Sequence, residues 1–194
     1  SYATNKKFNI DTEITINPAN IYQYKVTGVL NGKSYSSNIL TIDDNKTFCT
    51  PTVDYNQWYR RIESVVFNGV TTNSSGSGDY EDFSSTIFKV NEGKTYPITI
   101  TDSYSPGYDL GYVVYIDYNN DGDFDDSNEI ALSGSDGESF TGNIVIPTED
   151  IIFNTNLRMR VVGYTDFVSP CKAGVGQFED YTINVVRNIW TGTT

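Results

Sequence analysis

GYVVYIDYNNDGDFDDSNE, residues 111 to 129, joins two unlike patterns. Residues 112 to 116 are apolar or aromatic at every position, so both faces of an extended chain would be covered. That is how a central strand reads, as opposed to an edge strand with one wet face. The next stretch packs six carboxylates into the thirteen positions 117 to 129. Asp117, Asn119 and Asp121 recur at every second residue, Gly122 follows at once, and Glu129 closes the run. A strand that leads straight into so much like charge needs something to hold those oxygens together.

Calcium is a hard cation that takes six to eight oxygen ligands at about 2.3–2.6 Å. Alternating acids with a glycine in sixth place let a backbone wrap around one such ion. With Asp117 in first place, Asn119 and Asp121 fall third and fifth. Asp123 then offers its carbonyl at the seventh position and Asp125 its side chain at the ninth. The bidentate acid of an EF-hand belongs at the twelfth position, which here is Asn128, and Glu129 falls one later. No helix is expected on either side. The expected Ca2+ shell is therefore Asp117, Asn119, Asp121, Asp123, Asp125 and Glu129, in an EF-like loop on a β scaffold. The alternative is a solvated acidic turn, the usual fate of an acidic run. The alternating spacing is rarer than a simple run, and without a cation its repulsion is uncompensated.

Around this segment the chain reads as short strands separated by Gly, Asn, Asp, Ser and Pro. They are expected at 60–67, 84–90, 95–101, 111–117, 142–147, 157–164 and 180–187, with 71–82 as an exposed loop. Fifteen Tyr, ten Phe and sixteen Gly suit strands joined by tight turns. The fold class is all-β, an antiparallel, jelly-roll-like β-sandwich from about 48 to 187. Residues 1–47 differ: Tyr22, Tyr24 and Val26 alternate with polar partners, Asn31-Gly32 turns the chain, and alternation resumes through Tyr35 to Ile42. This hairpin segment resembles the last two strands of a fibronectin type III domain. Residues 188–194 read as a linker to a following module.

Composition removes several functions. With 25 acidic and 13 basic side chains the net charge is −12, which disfavours nucleic acid and anionic membranes as partners. Histidine is absent, which removes the usual triad base and the commonest zinc ligand, and two cysteines are too few for a Cys-based zinc site. No stretch is apolar and long enough to insert in a membrane.

Several motifs stand in order along the chain: FCTP (48–51), GDYEDFSS (78–85), VNEGKTYPITIT (90–101), the acidic loop, LRMRVVGY (157–164), SPC (169–171) and GQFEDYTINVV (176–186). Together they resemble the GEVED domain of secreted Bacteroidetes-type proteins, over about 48 to 187. In the naming motif Gln177 and Phe178 replace the family's first Glu and its Val, while Glu179 and Asp180 remain. The resemblance implies a secreted or cell-surface protein, and a module that accompanies extracellular proteases, glycan-active enzymes and adhesins. It supplies no catalytic residues, so no enzyme is expected. In a secreted protein the even cysteine count suggests a bridge between Cys49 and Cys171; two buried thiols are the alternative.

Glu81, Asp82, Glu179 and Asp180 sit in similar settings. If their strands are neighbours, they either converge on a second cation or serve as salt-bridge partners of Arg60, Arg61, Arg158 or Arg160. Among the aromatics, Trp58, Tyr104 and Tyr108 are candidates for stacking on a sugar, against the alternative of core filling. The expected function is a non-catalytic, calcium-binding accessory module that binds polysaccharide or matrix protein beside other domains of the same chain. A structural spacer stiffened by calcium and a disulfide is the alternative. Exposed aromatics gathered on one face would favour the first reading, uniformly polar loops the second.

Overall fold

The computed structural model describes residues 10–16, 21–30, 33–36, 40–43, 47–55, 61–76, 78–103, 110–135, 137 and 139–187. The chain falls into two compact units, Ser1–Thr47 and Phe48–Thr194. In the first, the alternating sequence forms β1 (Ile10–Ile16), β2 (Ile21–Leu30), β3 (Lys33–Ser36) and β4 (Leu40–Asp43). β2 pairs antiparallel with the other three, and Leu30 stands opposite Lys33, so the strand ends bracket Asn31-Gly32.

The second unit holds β5 (Thr52–Val53), β6 (Ile62–Phe67), β7 (Val70–Asn73), β8 (Tyr80–Asn91), β9 (Thr95–Asp102), β10 (Gly111–Ile116), β11 (Ile130–Ser135), β12 (Ser139–Val145), β13 (Asn156–Ser169) and β14 (Lys172–Val186). The larger sheet runs β11-β10-β13-β14-β5, with β8 also on β14; the smaller runs β12-β9-β6-β7. The two form a sandwich, and no helix occurs among the described residues. β10 lies between β11 and β13, the central place that its two-faced apolar pattern demands. Tyr112, Val114 and Ile116 point into the core between the sheets, with Ile98, Ile100, Ile144, Met159 and Ile183. Val113 and Tyr115 point to the opposite face of the same sheet, where Phe124, Val162 and Phe178 form a second cluster under Phe48 and Val53.

Three expectations need correction. The sandwich is not purely antiparallel: β14 pairs parallel with β5 at one end and with β8 along the rest. β8 leaves for the other sheet at both ends, to β7 and β9, so it meets β14 without a hairpin and has no need to oppose it. Second, 71–82 is not all loop, because β7 ends at Asn73 and β8 begins at Tyr80. Third, β14 starts at Lys172, well before the expected 180, and β5, β7 and β11 were not expected. The segments of β11 and β14 carry Gly and Ser (IALSGS, KAGVG) and read locally as turns. β5, β7 and β11 hold no buried residue and are strands through their pairing with β14, β6 and β10, while the start of β14 is buried. Gly176 shows why glycine belongs there. A Cβ on it would stand 2.0 Å from the carbonyl oxygen of Gly163 on β13, so no other residue fits that pairing.

Candidate metal centre

The acidic loop begins where β10 ends and returns to the sheet at β11. Its two ends are tied by the Ile116 N–H, which donates to the Glu129 carbonyl (2.9 Å), and Asp117 N–H donates to the Arg158 carbonyl on β13 (3.0 Å). Within the loop, Asp117 accepts from the N–H groups of Asp121 (3.0 Å) and Gly122 (3.1 Å). A carboxylate at position one thus organises the turn that brings position five back to it. Gly122 has φ of +100° and Asn120 of +60°, left-handed conformations that glycine and asparagine tolerate best. Phe124 anchors the middle of the loop on the outer cluster, 5.8 Å from Tyr115 and 5.1 Å from Phe48, ring centroid to centroid.

This folding brings carboxylate oxygens of Asp117, Asp121 and Glu129 within 4.8 Å of one another. Oxygens bound to one calcium ion at ~2.4 Å can be no more than about 4.8 Å apart, so all three carboxylates lie within reach of a single ion. Asp117 and Glu129 are fully buried, and the Oε1 atom of Glu129 has no hydrogen-bond partner. Its Oε2 accepts from Asp126 N–H at 3.3 Å. Burial, with the charges of Asp117, Asp121 and Asp126 also raising it against that backbone hydrogen bond, pushes the Glu129 carboxyl up to about 8. Asn119 sits at the mouth: its Nδ2 donates to Asp121 (2.7 Å) and to Asp126 (2.6 Å), while its Oδ1 accepts from Asp121 N–H (3.0 Å). Asp123 and Asp125 stand outside the trio with exposed side chains; Asp123 Oδ1 caps the Asp125 N–H at 2.9 Å. Asp126, outside both the expected shell and the trio, borders the site through its hydrogen bonds with Asn119 and Glu129. It lies three residues before Glu129, and its carbonyl accepts from Glu129 N–H (3.1 Å).

The other acids form a separate network. β8 and β14 are neighbours, with Glu81 opposite Glu179 and Asp82 opposite Asp180. The two pairs have different fates because alternate residues face opposite sides of the sheet. Asp180 accepts from Arg160 Nε (2.6 Å) and Nη2 (2.8 Å), from Arg158 Nη1 (2.8 Å) and from the Tyr80 hydroxyl (3.0 Å). Arg160 continues to the Pro170 carbonyl (2.8 Å) and the Cys49 carbonyl (3.3 Å). Burial and the nearby Asp180 carboxylate push the Tyr80 hydroxyl up to about 12. Glu179 is buried against the core edge, where its oxygens accept from the Ser74 and Tyr181 hydroxyls. Burial raises its carboxyl to about 7; the Ser74 and Tyr181 hydrogen bonds pull it down, and Glu81 adds to the rise. Gln177 accepts from Ile62 N–H (2.9 Å) and donates to Glu81 (2.9 Å). A carboxylate at 177 could not make that donation, which accounts for Gln in this chain.

The cysteines are joined. Cys49 and Cys171 form a disulfide with Cα atoms 5.8 Å apart across a sequence separation of 122, and Thr52 N–H donates to the Cys171 carbonyl (3.0 Å) as β5 begins. Trp58, Tyr104 and Tyr108 lie outside the described residues.

A disulfide-tied β-sandwich with an acidic loop at the end of its central strand is the class that fold and site define. Residues 111–184 match the model of the GEVED domain. The matched segment runs from β10 through the acidic loop to β14 and includes the Gly176–Asp180 motif. A comparison with curated proteins finds no match.

Proposed function

We propose that the second unit is a non-catalytic accessory module of a secreted or cell-surface protein, and that its loop at 117–129 holds one calcium ion. The observation that carries the metal is the convergence of Asp117, Asp121 and Glu129, with a buried Glu129 oxygen that lacks a partner. An unpaired buried acceptor in a ring of like charge is costly. A divalent cation relieves both problems at once. In this reading Asn119 turns its amide oxygen inward, and the Asp123 carbonyl and Asp125 side chain complete the shell from the solvent side. The disulfide and the GEVED domain are consistent with an extracellular setting, where calcium is plentiful.

The acids outside the loop support a structural role. Asp180 is engaged by two arginines and Tyr80, and Glu179 by two hydroxyls, so neither stands as an unengaged acid or base facing a cleft. The module's partner is a polysaccharide or matrix protein. Exposed aromatics in the second unit, Tyr55 at 67% and Phe167 at 48%, favour binding over a pure spacer. Calorimetric titration with calcium tests the metal: one site in the wild type, and at least a tenfold weaker one in Glu129→Gln and Asp117→Asn, because each removes a formal charge from the shell. Absence of any calcium heat from the folded wild type would refute it.

A further inference from the structure

On the outer face of the larger sheet, β10 begins with a glycine between two polar neighbours. Gly111 pairs with Ser135 on β11 and with Tyr164 on β13. Beside it lies a groove of about 440 Å³ bordered by Gly111, Ser133, Ser135, Tyr164, Thr165 and Asp166, a size typical of small-ligand clefts. The Tyr164 ring fills the place that a residue at 111 would claim. A Cβ there would stand 2.8 Å from its Cζ and 2.9 Å from its Cε1, so the ring rests on bare backbone. Asp166 is held by a bulge in β13, with φ of +73° and an exposed side chain. Two exposed aromatics belong to the same end of the sheet. Phe167 follows Asp166 in the chain, and Tyr55 donates its N–H to Gly174 (3.0 Å), the residue beside Asp166.

We propose that this groove binds an uncharged oligosaccharide, with Tyr164 under a sugar ring and Ser133, Ser135, Thr165 and Asp166 bonding to its hydroxyls. The proposal rests on the reading of the unit as a binding module and names its site and ligand class. A sugar offers an apolar C–H face and a rim of hydroxyls; an aromatic ring among hydroxyls and one carboxylate complements both. A carboxylate accepts two hydroxyl donors and repels anions, and none of the lining residues is basic. With a net charge of −12, sulfated or uronate-rich chains are therefore excluded. None of the lining residues is aliphatic either, so the groove has no apolar socket for a peptide side chain.

The test uses the full chain, in calcium, against cello-, xylo-, manno- and chito-oligosaccharides, with heparin and polygalacturonate as anionic arms and immobilised collagen and fibrinogen as protein arms. At least one neutral oligosaccharide is expected to bind with Kd below about 1 mM. Tyr164→Ala and Gly111→Ala, which removes or displaces the ring, are expected to weaken it at least about tenfold. Asp166→Asn keeps an exposed residue that tolerates positive φ, so it carries the test if the other two do not fold; it is expected to weaken binding by a similar factor. Neutral sugar binding that all three variants retain would overturn the groove and leave the module reading intact. Binding of collagen or fibrinogen alone, or preference for the anionic chains, would do the same. If no probe binds, both readings fall.

Discussion

Asp180 and Glu179 are adjacent, buried acids with opposite electrostatic settings. Asp180 and Arg160 have side chains each only 1% exposed, and breaking such a pair from one side strands a buried charge, which costs about 3–5 kcal/mol. Asp180→Ala is expected to lose that much in urea unfolding, whereas Asp82→Ala, on the neighbouring strand with an exposed side chain, is expected to lose less than about 1 kcal/mol. Glu179 has the reverse problem. Its folded carboxyl is raised from 4.5 to about 7, so between those values the native state keeps a proton that the unfolded chain has released. Its contribution is thus fully present below about pH 4.5 and is lost as pH rises to about 7, on the order of 3 kcal/mol. Glu179→Gln removes this slope, and comparing wild-type and variant stability at pH 5 and pH 8 reads it directly; parallel curves would refute it. The sequence marked all four acids and their arginines as candidates. It could not say which acid meets which arginine, because that depends on the parallel register of β8 on β14 and on which face each residue takes.

At the level of elements, the disulfide and β14 do most of the fixing. The bridge closes a loop of 122 residues, and on the chain-entropy model such a closure contributes about 4–5 kcal/mol. Phe48, next to Cys49, packs on Phe124 of the acidic loop, and Arg158 lies 4.9 Å above the Phe48 ring. Replacing both cysteines by alanine is expected to lower stability by about 2–5 kcal/mol, read as a fall in melting temperature that dithiothreitol reproduces in the wild type. An unchanged melting temperature on reduction would contradict it. The strands easiest to read in advance were β6, β9, β10 and β13, where β-branched and aromatic residues crowd together. β5, β7, β11 and the first half of β14 were not legible, since such short or Gly-, Ser- and Thr-rich segments match turns locally and become strands only through pairing with β14, β6, β10 and β13.

Across the second unit, two sheets bury an apolar core while the loop at the end of β10 concentrates charge in a chain that is already strongly acidic. The alternating acids of the loop were legible in the sequence; which of them come together was not, because the convergence of Asp117, Asp121 and Glu129 follows from how the chain folds back. Calcium that binds only the folded chain stabilises it by about 2.7 kcal/mol at a hundredfold excess over Kd, roughly 5–10 °C for a domain of this size. Magnesium is expected to give a smaller shift, since it prefers a tighter octahedron and keeps its waters. Melting the wild type and Glu129→Gln in calcium and in excess EDTA is the decisive comparison. The wild type is expected to melt several degrees higher in calcium, with the variant's shift largely abolished. Equal melting of the wild type in calcium and in EDTA would make residues 117–129 a solvated acidic turn and nothing more.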